Sequence, residues 1–316
     1  MIKSEYGAFT GKKSGLWARI LKNRGMYLVL LPGLMWYVIF AFLPMYGMSL
    51  AFKTYKANLG IFRSPWAGLV NYQNAFLDPA FFQSIARTLQ INFGRLLFMF
   101  PIPIILALTI NEARIGPLKK IFQVIYTFPN FLSWVIVASI MINVLNRTGL
   151  VNSFILLLGG ERVNFLGSVP GFLPLIYLSE IWKFAGWGAI IYLAAISGID
   201  SEQYDAAEID GASRLQQVFY VTIPGIMGTI IVMLILQVGN LMTSGFDQLF
   251  NLSNAATMKA AETLDMYIYR ITFRSASDFS FSSAISLFRS VINFILLLTA
   301  DRLSRTVSGT GLFAQG

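Results

Sequence analysis

The chain contains neither cysteine nor histidine among its 316 residues, and only 12% of them are charged. Without cysteine there is no disulfide, thiolate metal site or sulfur nucleophile; without histidine the commonest general base and metal ligand are missing. Most hydrolytic chemistry is thereby excluded, and no metal site is expected. The shortage of charge matters as much, because a soluble domain carries roughly 25% charged residues. Apolar residues take the place of the charges: 56% of the chain is hydrophobic, 15% is aromatic, and the mean hydropathy is +0.64. This is a membrane composition, and no segment between the apolar runs is long enough to form a large soluble domain.

The net charge of +9 and the pI of about 9.7 invite a nucleic-acid reading. That reading fails because no soluble domain can present a basic face; basic residues in so apolar a chain flank spans or line a polar path. Six apolar runs, at about 26–52, 84–110, 121–145, 170–196, 224–250 and 282–300, can each span the bilayer as a helix with its backbone satisfied internally. They predict an all-α membrane protein with six transmembrane helices, divided into a polar segment 1–25, a membrane domain 26–301 and a tail 302–316. The first run is too long for a signal peptide and lacks its small-residue cleavage site, so it reads as a retained helix bent by Pro32 and Pro44. The stretch 150–158 is apolar but too short to span, and reads as a re-entrant or interfacial helix ending at Gly159 and Gly160.

Six spans place both termini on one side. That side, with the connections 110–120 and 197–223, holds twelve Lys and Arg against nine on the other. Lys3, Lys12, Lys13, Arg19, Lys22 and Arg24 all precede the first helix, where such a bias weighs most, so the termini are assigned to the cytoplasm. The run from Gly7 to Lys13 imitates a phosphate loop. It has three residues between its glycines instead of four, and Lys13 where a Ser or Thr belongs, so ATP is not expected to bind this chain.

The connection 199–224 is the most informative part of the sequence. Asp200 is suited to cap a helix, with Gln203 three residues on and Glu202 at the positive end of the helix dipole, so a helix is expected over about 201–210. Gly211 permits a left-handed stop, and 213–220 offers a second helical piece before Pro224 opens the fifth span. The result is a helix-turn-helix on the membrane surface. Tyr204 opens its recognition stretch; Ala206, Ala207, Gly211 and Ala212 keep one side thin, while Asp205, Glu208 and Asp210 offer carboxylates to partner arginines.

The stretch from Asp205 to Gly211 (DAAEIDG), with Phe219 and Ile223-Pro224, resembles the EAA coupling loop of bacterial ABC importer permeases. Asp205 stands where that motif usually has Glu, and Ile223 where it has Leu, so charge and apolar character are retained. Leu31-Pro-Gly, Gly68-Leu-Val-Asn-Tyr and Asn111-Glu extend the likeness to the carbohydrate-uptake branch, particularly permeases for alginate and pectin fragments. The resemblance implies a type I ABC importer permease in the bacterial cytoplasmic membrane, surrounded by lipid. It implies a second permease subunit, two cytoplasmic ATPases holding ATP and Mg, and an extracytoplasmic solute-binding protein that delivers an oligosaccharide. This chain would itself be neither enzyme nor cofactor binder. A neutral oligosaccharide or a peptide as cargo, or a stand-alone channel or secondary carrier, are the competing readings.

Charges inside the spans are costly and usually face protein or a water-filled route. Arg95 falls in the second run, Glu180 and Lys183 in the fourth, Asp247 in the fifth and Arg289 in the last; Glu180 and Lys183 are spaced to pair along one helix face. Two readings stay open. Arg95, Lys183 and Arg289 could line a cavity for a uronate-containing sugar, with Trp182, Trp187 and Tyr192 stacking on its rings. Alternatively, the charges form internal salt bridges or snorkel, and the aromatics anchor the interface. The connections 54–82 and 251–281 are long enough to touch an external partner, and Lys259, Glu262, Asp265 and Arg270 there read as solvated.

Overall fold

The computed structural model describes residues 23–113, 116–275 and 278–313. The basic segment through Lys22, including the run from Gly7 to Lys13, lies outside the described residues, as does Arg114. Among the described residues, four continuous helices are long and apolar enough to cross a membrane: α1 (Arg24–Phe52), α3 (Pro79–Glu112), the Trp134–Leu157 stretch and α14 (Phe279–Ser308). Two bent pairs bring the number to six when each counts as one span. They are α7 (Val169–Ile196) with α8 (Ser201–Ile209), bent by 75°, and α9 (Arg214–Gly225) with α10 (Met227–Gly239), bent by 60°. Short helices fill the connections: α2 (Val70–Leu77), α4 (Gly116–Thr127), α11 (Phe246–Leu252), α12 (Met258–Ala261) and α13 (Leu264–Tyr269).

The all-helical expectation holds, but several boundaries move, each for a local reason. The third apolar run is two helices, α4 and α5 (Trp134–Leu145), separated by a 3-10 turn at Phe128–Phe131. Pro129 sits at the start of that turn, and the Ser133 hydroxyl caps α5 by accepting from the Ile136 amide at 3.4 Å. The short apolar helix α6 (Leu150–Leu157) follows α5 after one turn and stops at Gly159, whose φ is +82°. The helix past Pro224 does not begin there. Instead α9 starts at Arg214, carries a π-helical segment at Val218–Thr222, and bends into α10 at Ile226. The fifth run also ends early: α10 stops at Gly239, so Asp247 lies exposed in the first turn of α11 and outside the span. At the other end of the chain, α14 runs to Ser308, and half of the segment assigned as a tail is helix closed by Gly309.

Packing is organised around α7, which lies along the second half of α3 and touches α4, and around α14, which lies against α10 and the end of α1. One core joins Ile91, Phe172, Ile176, Leu249 and Met266. A second holds Phe81, Met242, Leu264, Tyr267 and Ile285. The third, made of Ala107, Ala189, Tyr192, Ile196 and Ile226, lies beside the 199–224 loop. The segment 251–281 is therefore no solvated strap: Leu264, Met266 and Tyr267 are buried, and α13 is bound into the bundle. Tyr267 donates its hydroxyl to Asp78 Oδ2 at 2.5 Å, and the Leu264 amide donates to Thr88 Oγ1 at 2.8 Å.

Candidate functional site: a surface helix and a buried polar network

The 199–224 loop folds as its residues dictate. Asp200 Oδ1 accepts from the Glu202 amide at 3.0 Å and starts α8, while Gln203 contributes only its backbone N–H to the Asp200 carbonyl at 3.2 Å. Gly211, with φ at +78°, closes the helix; the Ala212 amide reaches the Ala207 carbonyl at 2.9 Å. A Cβ at Gly211 would meet nothing within 4 Å, so it is the left-handed backbone and not crowding that calls for glycine. A capping box between Ser213 and Gln216 restarts the chain as α9.

Asp205, Ala206, Glu208, Asp210 and Gly211 are exposed, whereas Tyr204, Ala207 and Ala212 are half-buried beneath them. The outward face thus combines three carboxylates with small residues. Ile209, Leu215, Phe219 and Tyr220 add large apolar groups, with Ile209 85% exposed, a surface shaped for another protein. Two contacts tie this face to the bundle. The Tyr204 hydroxyl meets Thr222 Oγ1 at 2.9 Å within the π-helical segment, and Arg214 Nη1 lies 3.8 Å from Glu112 Oε2 at the end of α3.

The intramembrane charges have a different arrangement from the expected Glu180–Lys183 pair. Arg95 Nε lies 2.5 Å from Glu180 Oε2, with the two side chains 5% and 15% exposed. This is a charge contact more than an aligned hydrogen bond, since neither atom has a hydrogen-bond partner of good geometry. Arg95 uses its other nitrogens properly, donating to Asn92 Oδ1 at 3.1 Å and to Gln248 Oε1 at 2.6 Å. Gln248 donates in turn to the Ile176 carbonyl at 2.7 Å, and Asn92 to the Leu241 carbonyl at 2.7 Å. From the opposite side Arg289 pairs with Asp265, whose Oδ2 accepts from the Ser244 amide at 3.0 Å. Asn293 Oδ1 accepts from the Met242 amide at 3.0 Å. These groups surround residues 240–245, where the chain leaves α10 and turns into α11. Such non-helical backbone is tolerated at membrane depth only when protein groups satisfy it.

Lys183 does the same for the break between α4 and α5. Its Nζ donates to the carbonyls of Asn130 at 2.8 Å and Leu132 at 2.5 Å, over the ring of Phe184. Arg95 and Arg289 are thus brought to the joint between α10 and α11 and Lys183 to the joint between α4 and α5, each with a partner inside the protein. Glu180, by contrast, also borders a cavity of about 380 Å³ with Trp187, Tyr192, Phe184 and Gln237. Trp182 is exposed elsewhere on α7 and borders none of the cavities described. Sequence reasoning missed Asn92, Gln248, Asn293 and Thr222, since an isolated amide or hydroxyl in an apolar run carries no periodic signal. Only Asp265, a carboxylate between apolar neighbours, could have been suspected.

A long helical bundle crossing a membrane, with broken helices at its centre and an exposed acidic helix at one end, is the architecture of a solute-transport component. The sequence profile of the binding-protein-dependent transport system inner membrane component matches residues 99–309, and the chain belongs to that family. It is 39% identical over 303 residues to the polygalacturonan/rhamnogalacturonan transport system permease protein YteP of Bacillus subtilis (strain 168), covering 96% of this chain and 94% of the relative. Protein LplB of the same organism is 38% identical over 313 residues, 98% of each chain. Among solved structures, a chain of a bacterial ABC transporter involved in the import of the acidic polysaccharide alginate superposes with a TM-score of 0.85 at 34% identity, covering 93% of this chain and 100% of that one. The alginate transporter in complex with alginate pentasaccharide-bound periplasmic protein gives 0.86, with 95% and 100% covered. The resemblance carried by the 199–224 loop is therefore upheld for family and fold: the chain is a multi-pass inner membrane component of a binding-protein-dependent transport system, with the type I permease architecture of the ABC transporter chain it superposes on.

Proposed function

We propose that the chain is one of two permease subunits of an ATP-driven importer in a bacterial cytoplasmic membrane, with both termini and α8 on the cytoplasmic side. Its cargo is a uronate-containing oligosaccharide handed over by an external solute-binding protein. The observation that carries the mechanism is α8 itself. It offers exposed carboxylates and a thin alanine–glycine side to a groove in one of two partner ATPases, which hold the ATP and Mg and do the hydrolysis. When the ATPases close, α8 moves with its host. The Tyr204–Thr222 bond hands that movement to α9 and the bend at Ile226, and the Arg214–Glu112 contact hands it to α3. Rigid elements joined at satisfied breaks then swing between inward and outward access.

The acidic cargo is supported by the names of the relatives, which cite polygalacturonan, rhamnogalacturonan and alginate. On the path we place Glu180, Trp187 and Tyr192 at the wall of the cavity beside α7, where an indole face can stack on a sugar ring. Arg95, Lys183 and Arg289 act behind that wall, holding the helix breaks that shape it.

The test is ATPase activity of the complex reconstituted with its partner subunits. Wild type is compared with Gly211→Val while binding protein loaded with oligogalacturonate or a neutral oligosaccharide is added. Stimulation by the uronate form, lost in the variant, is expected. Stimulation only by neutral sugar or peptide would refute the acidic cargo. Transport that persists after residues 204–212 are replaced by a flexible linker would refute the coupling and point to a channel or carrier.

A further inference from the structure

The end of the bundle opposite α8 carries a cluster of cations that the transport reading leaves unused. Glu112, at the C-terminus of α3, meets Arg214 beside α8, so the start of this 34-residue helix, about 50 Å away along its axis, lies at the far end. There α3 packs against α13, as the Tyr267–Asp78 and Leu264–Thr88 bonds fix, and Ala260 and Ala261 of α12 join the core around Ile91 of α3. A cavity of about 460 Å³ opens between them, lined by Gln83, Arg87, Gln90, Lys259 and Glu262. A second, of about 290 Å³, shares Glu262 as a wall and is lined on its far side by Phe250, Tyr269, Arg270 and Arg274.

The charge balance around the pair of cavities is one-sided. Four cations, Arg87, Lys259, Arg270 and Arg274, face one carboxylate, and Glu262 is already held by Arg270 Nε at 2.5 Å. Among the described residues no carboxylate lies within ion-pair distance of Arg87, Lys259 or Arg274. Arg87 donates to Gln90 Oε1 at 2.9 Å, which orients its guanidinium along the cavity wall. Arg274 lies over the rings of Phe250, at 5.9 Å, and Tyr269, at 5.6 Å. Tyr269 itself packs at 5.1 Å from both Phe246 and Phe250, so the aromatic platform is already assembled. Lipid is a poor neighbour for such a face, because unpaired cations and two amides would stand in hydrocarbon. Cations beside amides and stacked rings suit a chain of sugars that carries a carboxylate on successive rings, and the volumes are those of ligand pockets.

We propose that the two cavities form a binding site for an acidic oligosaccharide at the outer mouth of the permease. Arg87 and Lys259 take the carboxylate of one ring, and Arg274 with the Tyr269 platform takes another. The site would capture the leading end of the cargo before it enters the bundle. It rests on the reading of this chain as an importer of uronate-containing sugar, and it adds a place where the permease itself selects for charge.

The test uses the assembled complex in nanodiscs, without binding protein, titrated with tetragalacturonate and with the same tetrasaccharide after carboxyl reduction. Wild type should bind the acidic form saturably. The Arg87→Gln/Lys259→Gln variant should bind it about tenfold or more weakly, the effect of losing charged hydrogen bonds. Arg274→Gln should behave in the same direction, Lys259→Arg should retain affinity, and binding of the reduced sugar should not differ between wild type and variants. Basal ATPase activity and elution volume check that the variants assemble. No acidic-sugar binding by wild type, or equal binding by wild type and variants, would overturn the proposal. So would variants that keep tetragalacturonate affinity but lose affinity for the binding protein, since the face would then be a protein contact. The parent reading fails separately: loaded binding protein would not stimulate wild-type ATPase, whatever the titration gives.

Discussion

Replacing Arg95 by methionine removes the centre of the network that holds the break after α10. The change leaves the Glu180 carboxylate, whose side chain is 15% exposed, without its counter-charge. It also leaves Gln248 Oε1 and Asn92 Oδ1 without the donors now 2.6 and 3.1 Å away. Removing one partner of a buried ion pair costs about 3–5 kcal/mol, whereas replacing both partners by apolar groups of similar volume is often neutral or stabilising. Arg95→Met is therefore expected to lower stability by about 3–5 kcal/mol. Glu180→Met should cost less, about 1.5–3 kcal/mol, because Arg95 keeps Asn92 and Gln248 as acceptors. The double variant should lose less stability than the two single losses added together, with a coupling energy of about 2 kcal/mol. Unfolding of the purified complex, followed by tryptophan fluorescence, measures all three. Additive losses, with no rescue by Glu180→Met, would refute the pairing and return Arg95 to the list of residues able to touch cargo.

Gly211→Val forces a branched residue into a left-handed conformation at a cost of about 1–2 kcal/mol. Because the glycine has open space around it, the variant should fold and insert yet lose stimulation of the partner ATPase, as the reconstituted assay would read. Tyr204→Phe removes one hydrogen bond of about 0.5–1.5 kcal/mol between α8 and the π-helical segment. Sugar transported per ATP hydrolysed should fall while hydrolysis continues, and an unchanged ratio would remove this bond from the coupling route. Lys183→Met leaves the carbonyls of residues 130 and 132 without a donor, at about 1–3 kcal/mol each. Thermal unfolding should shift downward and uptake of acidic and neutral sugars should fall alike, whereas a defect confined to uptake of acidic sugar would place Lys183 on the path. Trp187→Ala should raise the KM for sugar uptake with little loss of stability, since the side chain is 47% exposed beside the cavity.

Much of this was legible in the residues. Length and hydropathy of the apolar runs determined a helical membrane protein, because a bilayer demands internal backbone pairing over a fixed thickness. Asp200, Gly211 and the spacing of small and acidic residues between them determined α8 and its stop, since capping and left-handed turns are local effects. What the tertiary structure alone decided was the fate of the charges. Spacing along one helix put Lys183 beside Glu180, yet Glu180 turns to Arg95 on α3, and Lys183 turns to carbonyls at the end of α4. Asp265 read as a surface charge, but α13 packs into the bundle and brings it to Arg289. Ion pairs across helices depend on which faces meet and where helices break, and these are set by packing among residues more than 20 apart in the chain. A one-dimensional pattern records which residues can be buried; only the assembled bundle determines which buried groups find one another.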